Sequence, residues 1–251
     1  MLAPVDSSKA RAEHDAMAAA FVADGVQVVY VEPEGAVFPN QMFCADLMFS
    51  TPEGVILARP ASTVRAGEER QLARRLADLG VPIVRSVSGH GTFEGADAVW
   101  IDPTTVVIGR GLRTNQVGID QVGEVLAAMG VDAFAVDLPF GTMHLMGMLR
   151  IVDADLAVAF PRRTPHAAVI ALRDRGVEVL FVPEGDEQDM NRALNFVTLG
   201  PRRVLMNGEY DEYRAFFEDS GIECVPVVAT ELVKAAGGFG CLAGVLSRQP
   251  S

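Results

Sequence analysis

GVQVVYVEP at 25–33, GVPIVRSVS at 80–88, GVDAFAVDL at 130–138, GVEVLFVPE at 176–184 and GIECVPVVA at 221–229 are five versions of one phrase. Their first residues are 55, 50, 46 and 45 positions apart. Each phrase begins with Gly and continues with alternating β-branched residues, which is typical of a strand that follows the C-cap of a helix. A repeat with this period predicts a fold built from similar units.

The sequences on either side of each phrase complete the unit. Before each Gly, apolar residues recur at the three- and four-residue spacing of one buried helix face. These predicted helices cover 14–24, 68–79, 121–129, 167–175 and 210–220. After each phrase comes a second apolar segment, and in the first four a turn divides it into a hairpin. These segments are 45–60, 96–110, 148–160, 193–207 and the short CLAGVLSR at 241–248.

The pattern predicts an α/β fold of five ββαβ units in a single domain that spans 1–251. One unit cannot bury its own helix face, so the units must share a core, and we expect a closed ring with the helices outside. An open doubly wound sheet also fits the alternation of strands and helices, but two hairpin strands per unit argue against it. Because the first helix begins about ten residues from Met1, the first unit is expected to lack its N-terminal strand.

Composition and charge exclude several classes of protein. Hydrophobic residues make up 49% of the chain and charged residues 22%, which excludes intrinsic disorder. The 33 acidic and 21 basic residues give a net charge of −12, so nucleic-acid binding is not expected, whereas a small cationic ligand is compatible. The sequence has no stretch of 18 uncharged apolar residues, and we expect no membrane span.

The N-terminal sequence and the cysteines predict a cytoplasmic protein. MLAPVDSSKARAEHD at 1–15 carries mixed charge and lacks the apolar region of a signal peptide. The three cysteines, Cys44, Cys224 and Cys241, are far apart and form no CxxC pair. They therefore predict a reducing compartment and no disulfide framework.

A cysteine and a histidine are candidates for catalysis. Cys241 lies in AAGGFGCLAGVLSR, where glycines allow close approach of a ligand, and it is either a nucleophile or a small buried hydrophobe. The G-x-G-x-x-A match at 238–243 leaves no room for a dinucleotide-binding helix. His144 in PFGTMHLMGMLRI is either a core histidine or the partner of the cysteine in a thiol–imidazole pair.

Charged residues in apolar surroundings are candidates for binding. Asp46 interrupts MFCADLMF, and Glu94 and Asp97 interrupt TFEGADAVW, both of which we predict to be strands. Such carboxylates need a partner, either a structural salt bridge or a cationic ligand. Arg113 and Asn115 in GRGLRTNQVG form either a clamp for a carboxylate or an exposed turn.

Metal binding is not expected. The other histidines fall in helical or loop sequence and are predicted to be surface residues: His14, His90 and His166. No two histidines have the spacing of metal ligands, so we expect no metal and no other cofactor.

Six motifs follow one another from about residue 10 to the end of the chain. They are PNQMFCAD at 39–46, ARPASTVRAGEE at 58–69, FEGAD at 93–97, GLRTN at 111–115, GTMHL at 141–145 and the Gly-rich run into Cys241. In this order they resemble the guanidino-group-modifying enzymes of the pentein superfamily. That group includes dimethylarginine dimethylaminohydrolases, arginine deiminases and glycine amidinotransferases. The resemblance implies a pseudo-symmetric five-bladed α/β propeller, which agrees with the five units.

The resemblance implies a catalytic role for three residues. Cys241 corresponds to the nucleophile, His144 to the general acid and base, and Glu94 to the carboxylate that holds the histidine. A thiolate is nucleophilic enough to attack a guanidinium carbon once its pKa is lowered by a cationic substrate or an imidazolium. The product of hydrolysis would be citrulline or a related ureido compound, formed through a covalent thiouronium.

Five more residues are expected to bind substrate. Asp46 corresponds to the acid that pairs with the guanidinium, and Arg113 to the arginine that grips the α-carboxylate, with Arg65 assisting. We expect Asp97 and Asn115, which lie in the same motifs, to belong to this set.

The sequence favours a hydrolase acting on arginine or a methylated arginine. Arginine deiminases and amidinotransferases usually carry an acid two residues after the histidine, where this chain has Met146, and dimethylarginine hydrolases lack that acid. An amidinotransferase shares every catalytic group and stays open, as does a pentein that binds without catalysis. The expected partner is a small cationic guanidino compound, and a homodimer stays an open alternative.

Overall fold

The computed structural model describes residues 3–35, 38 and 40–248, and in that part of the chain it has eight α-helices and twelve strands. The helices are α1 (Ser7–Ala23), α2 (Cys44–Leu47), α3 (Glu68–Asp78), α4 (Gln116–Ala128), α5 (His166–Arg173), α6 (Glu187–Ala193), α7 (Asp211–Asp219) and α8 (Phe239–Leu242). The strands are β1 (Met48–Thr51), β2 (Gly54–Leu57), β3 (Ile83–Ser86), β4 (Ala98–Asp102), β5 (Thr105–Arg110), β6 (Asp132–Asp137), β7 (Leu149–Asp153), β8 (Leu156–Ala159), β9 (Glu178–Phe181), β10 (Val197–Gly200), β11 (Arg203–Asn207) and β12 (Glu223–Val227).

The strands form four small sheets of one design. Each sheet has an antiparallel hairpin, followed by a third strand that pairs in parallel with the second strand of the hairpin. The orders are β1-β2-β3, β4-β5-β6, β7-β8-β9 and β10-β11-β12. The helices α3, α4, α5 and α7 connect the second strand to the third. The ββαβ unit is therefore confirmed four times.

The predicted helix ends are also confirmed. The five repeat glycines adopt left-handed φ angles between 69° and 83°: Gly25, Gly80, Gly130, Gly176 and Gly221. A residue with a side chain rarely adopts this conformation, which explains why each phrase begins with Gly.

The four sheets are numbered as units one to four, and the fifth unit joins the N-terminal helix, placed in the first unit by the sequence, to the C-terminal segment; its prediction is wrong in part. Its helix is present as α1, which begins after the N-cap Asp6, earlier than expected. Residues 26–34 and 243–248, however, form no strand in the described structure. In the other units the third strand pairs with the second strand of a hairpin, and here no such hairpin is present in the described ranges to support it. Val31 and Leu246 still pack against the apolar cluster around Leu47.

Apolar clusters join neighbouring units. Ile56 of the first unit packs with Val106 of the second, and Val107 of the second packs in another cluster with Ala157 of the third. Val204 of the fourth unit lies in a cluster with side chains of β8. Within the described ranges, every helix falls short of the length and apolar character that a membrane crossing requires.

Five short segments, each at the start of a unit, form a chain of contacts. Four lie just before a sheet, namely α2, the 3-10 helices Gly95–Asp97 and Leu145–Gly147, and α6, and the fifth is α8. α2 contacts the 3-10 helix Gly95–Asp97, which contacts the 3-10 helix Leu145–Gly147. Asn191 of α6 then donates to the carbonyl of Gly147 at 3.4 Å, and α8 contacts α2 again. The starts of the units thus face a common centre.

Asp46 and Glu94 are not in strands, contrary to the sequence prediction. Asp46 lies in α2, and Glu94 precedes the 3-10 helix Gly95–Asp97. The reason is a close approach between these turns, since a Cβ at Gly95 would overlap the carbonyl oxygens of Ala45 and Met48. Both carboxylates therefore point from turns at the centre rather than from the face of a sheet.

Candidate active site

A histidine–carboxylate pair lies at the centre of the meeting segments. Nε2 of His144 is 2.7 Å from Oε2 of Glu94, and both side chains are buried. Asp97 fixes the neighbouring backbone, because its Oδ1 accepts from the Leu145 amide at 3.0 Å and its Oδ2 from the Thr114 hydroxyl at 2.7 Å. The sequence-predicted pair of Glu94 and His144 is thus within hydrogen-bond distance.

Asp46 approaches the other side of the imidazole. Its Oδ1 is 3.7 Å from Nδ1 of His144, and its Oδ2 accepts from Nη1 of Arg65 at 2.7 Å. Oδ1 is buried and has no hydrogen-bond partner among the described residues. One acceptor oxygen of this buried carboxylate therefore stays available.

The pKa of His144 rises to about 9. Burial alone would lower it, but the negative charges of Asp46, Glu94 and Asp97 and the hydrogen bond to Glu94 outweigh burial. Burial likewise opposes ionisation of Glu94, yet His144 and the nearby arginines bring the pKa of that carboxyl below its usual range. At neutral pH the site therefore holds an imidazolium, which can donate a proton.

Arg65 lies inside the site and not at its mouth. Its Nη1 contacts Asp46 at 2.7 Å and Glu94 at 3.3 Å, and its Nε contacts Glu68 at 2.8 Å. Buried acids hold Nη1 and Nε, while Nη2 has no partner among the described residues, and a role for Arg65 in holding a substrate carboxylate stays a prediction. A buried carboxylate requires such a partner, which explains the position of Arg65.

Arg113 and Asn115 differ in their accessibility to a ligand. The Arg113 side chain is 24% exposed, and its Nη1 is 3.6 Å from Oε1 of Glu94. Asn115 caps α4, since its Oδ1 accepts from the amides of Gly118 and Thr92 and its Nδ2 donates to the carbonyl of His90. Asn115 and Asp97 thus both have protein partners, and their contacts with a substrate stay a prediction.

Cys241 lies in the first turn of α8. Its Sγ accepts from Nδ2 of Asn195 at 3.1 Å, and its backbone amide donates to Oδ1 of the same side chain at 3.1 Å. Burial and the charge of Asp46 raise the pKa of the thiol, while hydrogen bonds from Asn195 and from the backbone of Gly238 and the positive charge of Arg150 act in the opposite direction. The thiol is therefore protonated in the free protein at neutral pH.

The other two cysteines are poor candidates for a nucleophile. Burial and Asp46 raise the pKa of Cys44 to about 11, and burial raises the pKa of Cys224 to about 12. Because the thiolate is the reactive form, Cys241 is the best placed of the three for reaction, since Asn195 donates a hydrogen bond to its sulfur and the charge of Arg150 favours its thiolate.

Three residues could together hold a metal ion. Asp46, Glu94 and His144 offer ligand atoms that all lie within 4.8 Å of one another. The two carboxylates already have a cationic partner, however, since Nη1 of Arg65 lies 2.7 Å from Asp46 and 3.3 Å from Glu94, and the imidazole is protonated without an ion. The arrangement favours a proton donor over a metal ligand.

Asn195 and Glu68 were not singled out from the sequence. Asn195 lies two residues before β10 just as Asp46 lies two residues before β1, but the same position holds Ala96 and Gly147 in the other two units. A comparison of the units therefore gives no signal for it. Glu68 begins α3 and has no counterpart of that kind.

The raised pKa of His144 makes stability depend on pH. The ordinary value is 6.5 and the folded value is about 9, so its contribution is complete below about pH 6.5 and disappears as the pH rises through about 9. We expect the difference in Tm between the wild type and His144→Gln to narrow over this interval. Melts in several buffers measure it, and groups that titrate in both proteins cancel. A constant difference across the interval would contradict the assignment.

Comparison with known proteins identifies the family. The family model described as N,N dimethylarginine dimethylhydrolase, eukaryotic, matches residues 4–243. A dimethylarginine dimethylaminohydrolase of Streptomyces coelicolor is 27% identical over 238 residues, 95% of this chain and 86% of the relative. A putative hydrolase of Homo sapiens, DDAH2, is 26% identical over 256 residues, 99% of this chain and 88% of the relative.

Solved structures share the fold. The dimethylarginine dimethylaminohydrolase of Pseudomonas aeruginosa, in complex with citrulline, aligns with a TM-score of 0.82 at 23% identity and covers 96% of this chain and 90% of its own. SxtG, an amidinotransferase from Microseira wollei, aligns with a TM-score of 0.83 at 15% identity and covers 97% and 84%. Together with the family model, these similarities show that the chain belongs to the N,N-dimethylarginine dimethylhydrolase family and is an amidino-group hydrolase.

Proposed function

We propose that this enzyme hydrolyses the guanidino group of a methylated arginine, with arginine as a second substrate, and releases an amine and citrulline. One observation carries the proposal. A thiol, an imidazolium paired with a carboxylate, and a carboxylate with one unused oxygen all come from the short segments at the starts of the units.

The charge of the site favours a cationic substrate. Four buried acids, Asp46, Glu68, Glu94 and Asp97, face three cations: Arg65, Arg113 and His144. With all of these groups ionised, one negative charge is left. A single guanidinium would neutralise it, and the unused Oδ1 of Asp46 can accept one of its N–H groups.

The first half of the reaction forms a covalent intermediate. The guanidinium offsets the charge of Asp46, which in the free protein disfavours the thiolate, so binding promotes release of the Cys241 proton to solvent water, since His144 is already protonated. The thiolate forms a C–S bond to the guanidinium carbon, and the C–N bond to the leaving amine breaks. His144 gives its proton to that amine, and Glu94 stabilises the imidazolium before transfer.

The second half uses water. His144, now neutral, takes a proton from a water molecule whose oxygen bonds to the thiouronium carbon. The C–S bond then breaks, the thiolate of Cys241 is restored and the ureido product departs. Arg113, which is partly exposed beside Glu94, is suited to hold the carboxylate of the amino-acid part.

Met146 supports a methylated substrate. It is half-buried in the 3-10 helix Leu145–Gly147, two residues after His144. A thioether at this position leaves one side of the guanidinium without an acid. That side can accept the apolar methyl groups of a methylated nitrogen.

Product analysis tests this function. The enzyme is incubated with arginine, methylated arginines, agmatine and guanidinoacetate, with and without glycine, and the products are identified by mass spectrometry. We expect citrulline and a methylated amine, at rates that do not depend on glycine. Transfer of the amidino group to glycine would instead identify an amidinotransferase. If no product formed and a haloacetamidine failed to label Cys241, the protein would be a binding protein without catalysis.

Asp46→Asn is expected to reduce kcat/KM by at least about a hundredfold, because the charge that pairs with the guanidinium is lost. Asp46 also forms an ion pair with Arg65 at 2.7 Å, so Tm should fall as well. Glu68→Gln is the matched control, since Glu68 also bonds to Arg65 but has no contact with His144. Kinetics and melts should give similar losses of stability but a much smaller loss of kcat/KM for Glu68→Gln, and equal kinetic losses would contradict the role of Asp46.

We also propose that the chain is a five-bladed α/β propeller. Four sheets of one design, a fifth helix, and the return of α8 to α2 support this arrangement. The single domain over 1–251 and the cytoplasmic, reducing setting stay predictions. Free thiols at Cys44, Cys224 and Cys241 accord with that setting.

A further inference from the structure

One side chain makes two hydrogen bonds to the cysteine of the site. Nδ2 of Asn195 donates to Sγ of Cys241 at 3.1 Å, and Oδ1 of Asn195 accepts from the Cys241 amide at 3.1 Å. The backbone carbonyl of Asn195 also accepts from the amide of Gly240 at 3.1 Å. A single residue before β10 therefore fixes both the backbone and the sulfur of the first turn of α8.

The glycines around the cysteine make room for this contact. A Cβ at Gly238 would lie 2.8 Å from Cγ of Asn195, and a Cβ at Gly240 would lie 2.9 Å from its Oδ1. Real Cβ atoms do not approach other atoms so closely. Asn195 thus requires glycine at 238 and, together with Arg150, at 240, while Gly237 is required by the close approach of Phe43.

A thiolate at Cys241 needs a hydrogen-bond donor, because its surroundings disfavour a negative charge. Asp46 places a negative charge near Cys241 and works against the thiolate, together with burial. An amide N–H stabilises an anion through a hydrogen bond without adding a charge that would repel a cationic substrate. The positive charge of Arg150 favours the thiolate of Cys241. Its guanidinium lies 5.2 Å from the centre of the Phe196 ring and has no carboxylate partner in the described part of the chain.

We propose that Asn195 is a positioning residue that aims the sulfur of Cys241 and stabilises its thiolate by donating a hydrogen bond from Nδ2. The effect on turnover rests on the proposed function, while the effect on the thiol does not. Asn195 lies outside the six sequence motifs that resemble the family.

Asn195→Asp provides a selective test. It keeps the Oδ1 acceptor for the Cys241 amide, but it replaces the donor by a carboxylate oxygen. The pH dependence of Cys241 alkylation by iodoacetamide, followed by peptide mass spectrometry, reports the pKa of the thiol directly. We expect the midpoint to rise by about one to two pH units and kcat to fall by about ten- to a hundredfold, with a smaller change in KM.

Two further variants keep the test decisive. Asn195→Ala removes the donor without adding a charge and should raise the midpoint in the same direction, even if the Asp variant folds poorly. Asn207→Asp is the matched control: Asn207 is also buried, and it bonds to the carbonyl and the amide of Ala229 at 3.0 and 3.1 Å, so the variant should lose stability but keep the alkylation midpoint. Folded Asn195 variants with a wild-type midpoint and kcat, or with a change in Tm alone, would overturn the proposal.

The alkylation measurement needs no turnover. If Asn195→Asp shifts the midpoint but the wild type gives no product from any guanidine, the proposed function fails and the role of Asn195 in the thiol stands. If product forms normally but the midpoint does not move, the proposed function stands and the role of Asn195 fails.

Discussion

Replacement of Cys241 by Ser is expected to lower kcat by at least about a thousandfold while the protein keeps its fold. A hydroxyl nearly matches a thiol in shape, and Asn195 can donate to it as it does to Sγ. A hydroxyl is far less acidic, however, so the attacking anion does not form even when a cationic guanidine is bound. Steady-state kinetics and circular dichroism on the purified variant measure both parts of the expectation. Near-normal turnover would show that Cys241 is not the nucleophile.

Cys224→Ser is the control for this experiment. Cys224 is a half-buried cysteine in β12, and its pKa of about 12 keeps the thiol protonated. We expect this variant to retain wild-type turnover. A large loss here would show that exchanging any thiol disturbs the protein.

Changes in His144 and Glu94 are expected to act on the same step. His144→Ala should lower kcat by about 10²- to 10⁴-fold, which is the usual range for removal of a general acid and base. Glu94→Gln should lower kcat by a smaller factor, because a neutral amide can still contact the imidazole although it no longer stabilises the positive charge. The double variant should be little slower than His144→Ala alone, because Glu94 acts through the imidazole.

Steady-state kinetics of the wild type, the two single variants and the double variant test whether His144 and Glu94 act on one step. Independent, multiplicative losses would show that Glu94 has a role apart from His144. Glu94 also contacts Arg65 at 3.3 Å, so melts of each variant are needed to correct kcat for the folded fraction. His144→Ala in the same melts shows how much of any destabilisation comes from the loss of the imidazolium.

The repeated units could be predicted because their signals are local. The left-handed Gly80 ends α3, and the alternation after Gly130 gives β6. Each of these features depends on neighbouring residues only. The choice of Cys241, His144 and Glu94 depended instead on the resemblance to a family, and the 2.7 Å contact between His144 and Glu94 agrees with it.

The position of Asp46 could not be predicted from its own segment. MFCADLMF has the apolar content of a buried strand, but Cys44–Leu47 forms a short helix that packs closely against Gly95, about fifty residues away. The partner of Asp46 was missed for the same reason, since Arg65 in the sequence resembles any exposed arginine of a turn. Its burial follows from three carboxylates that converge on it from separate segments.

The fifth unit exposed a limit of reasoning from repeats. GVQVVYVEP at 25–33 has the same pattern as four true strands, but a strand requires a neighbour with which to form hydrogen bonds. The β-branched residues of this segment form no ladder, and Val28 and Val31 instead pack against two apolar clusters. In GVQVVYVEP a local pattern is present but the strand is absent, whereas at Asn195 the contact with Cys241 is present but no local pattern indicates it.

The contact between α2 and α8 has a consequence for folding. Each sheet joins residues that are close in sequence, so its loop-closure entropy is small and it can form early. The approach of Cys44–Leu47 to Phe239–Leu242 joins segments from nearly opposite ends of the described chain, as do the hydrogen bonds of Asp6 and Glu13 with Glu231. We therefore expect Cys241 to join the buried acids after the sheets have formed. A partly folded chain can hold all four sheets and still be catalytically silent.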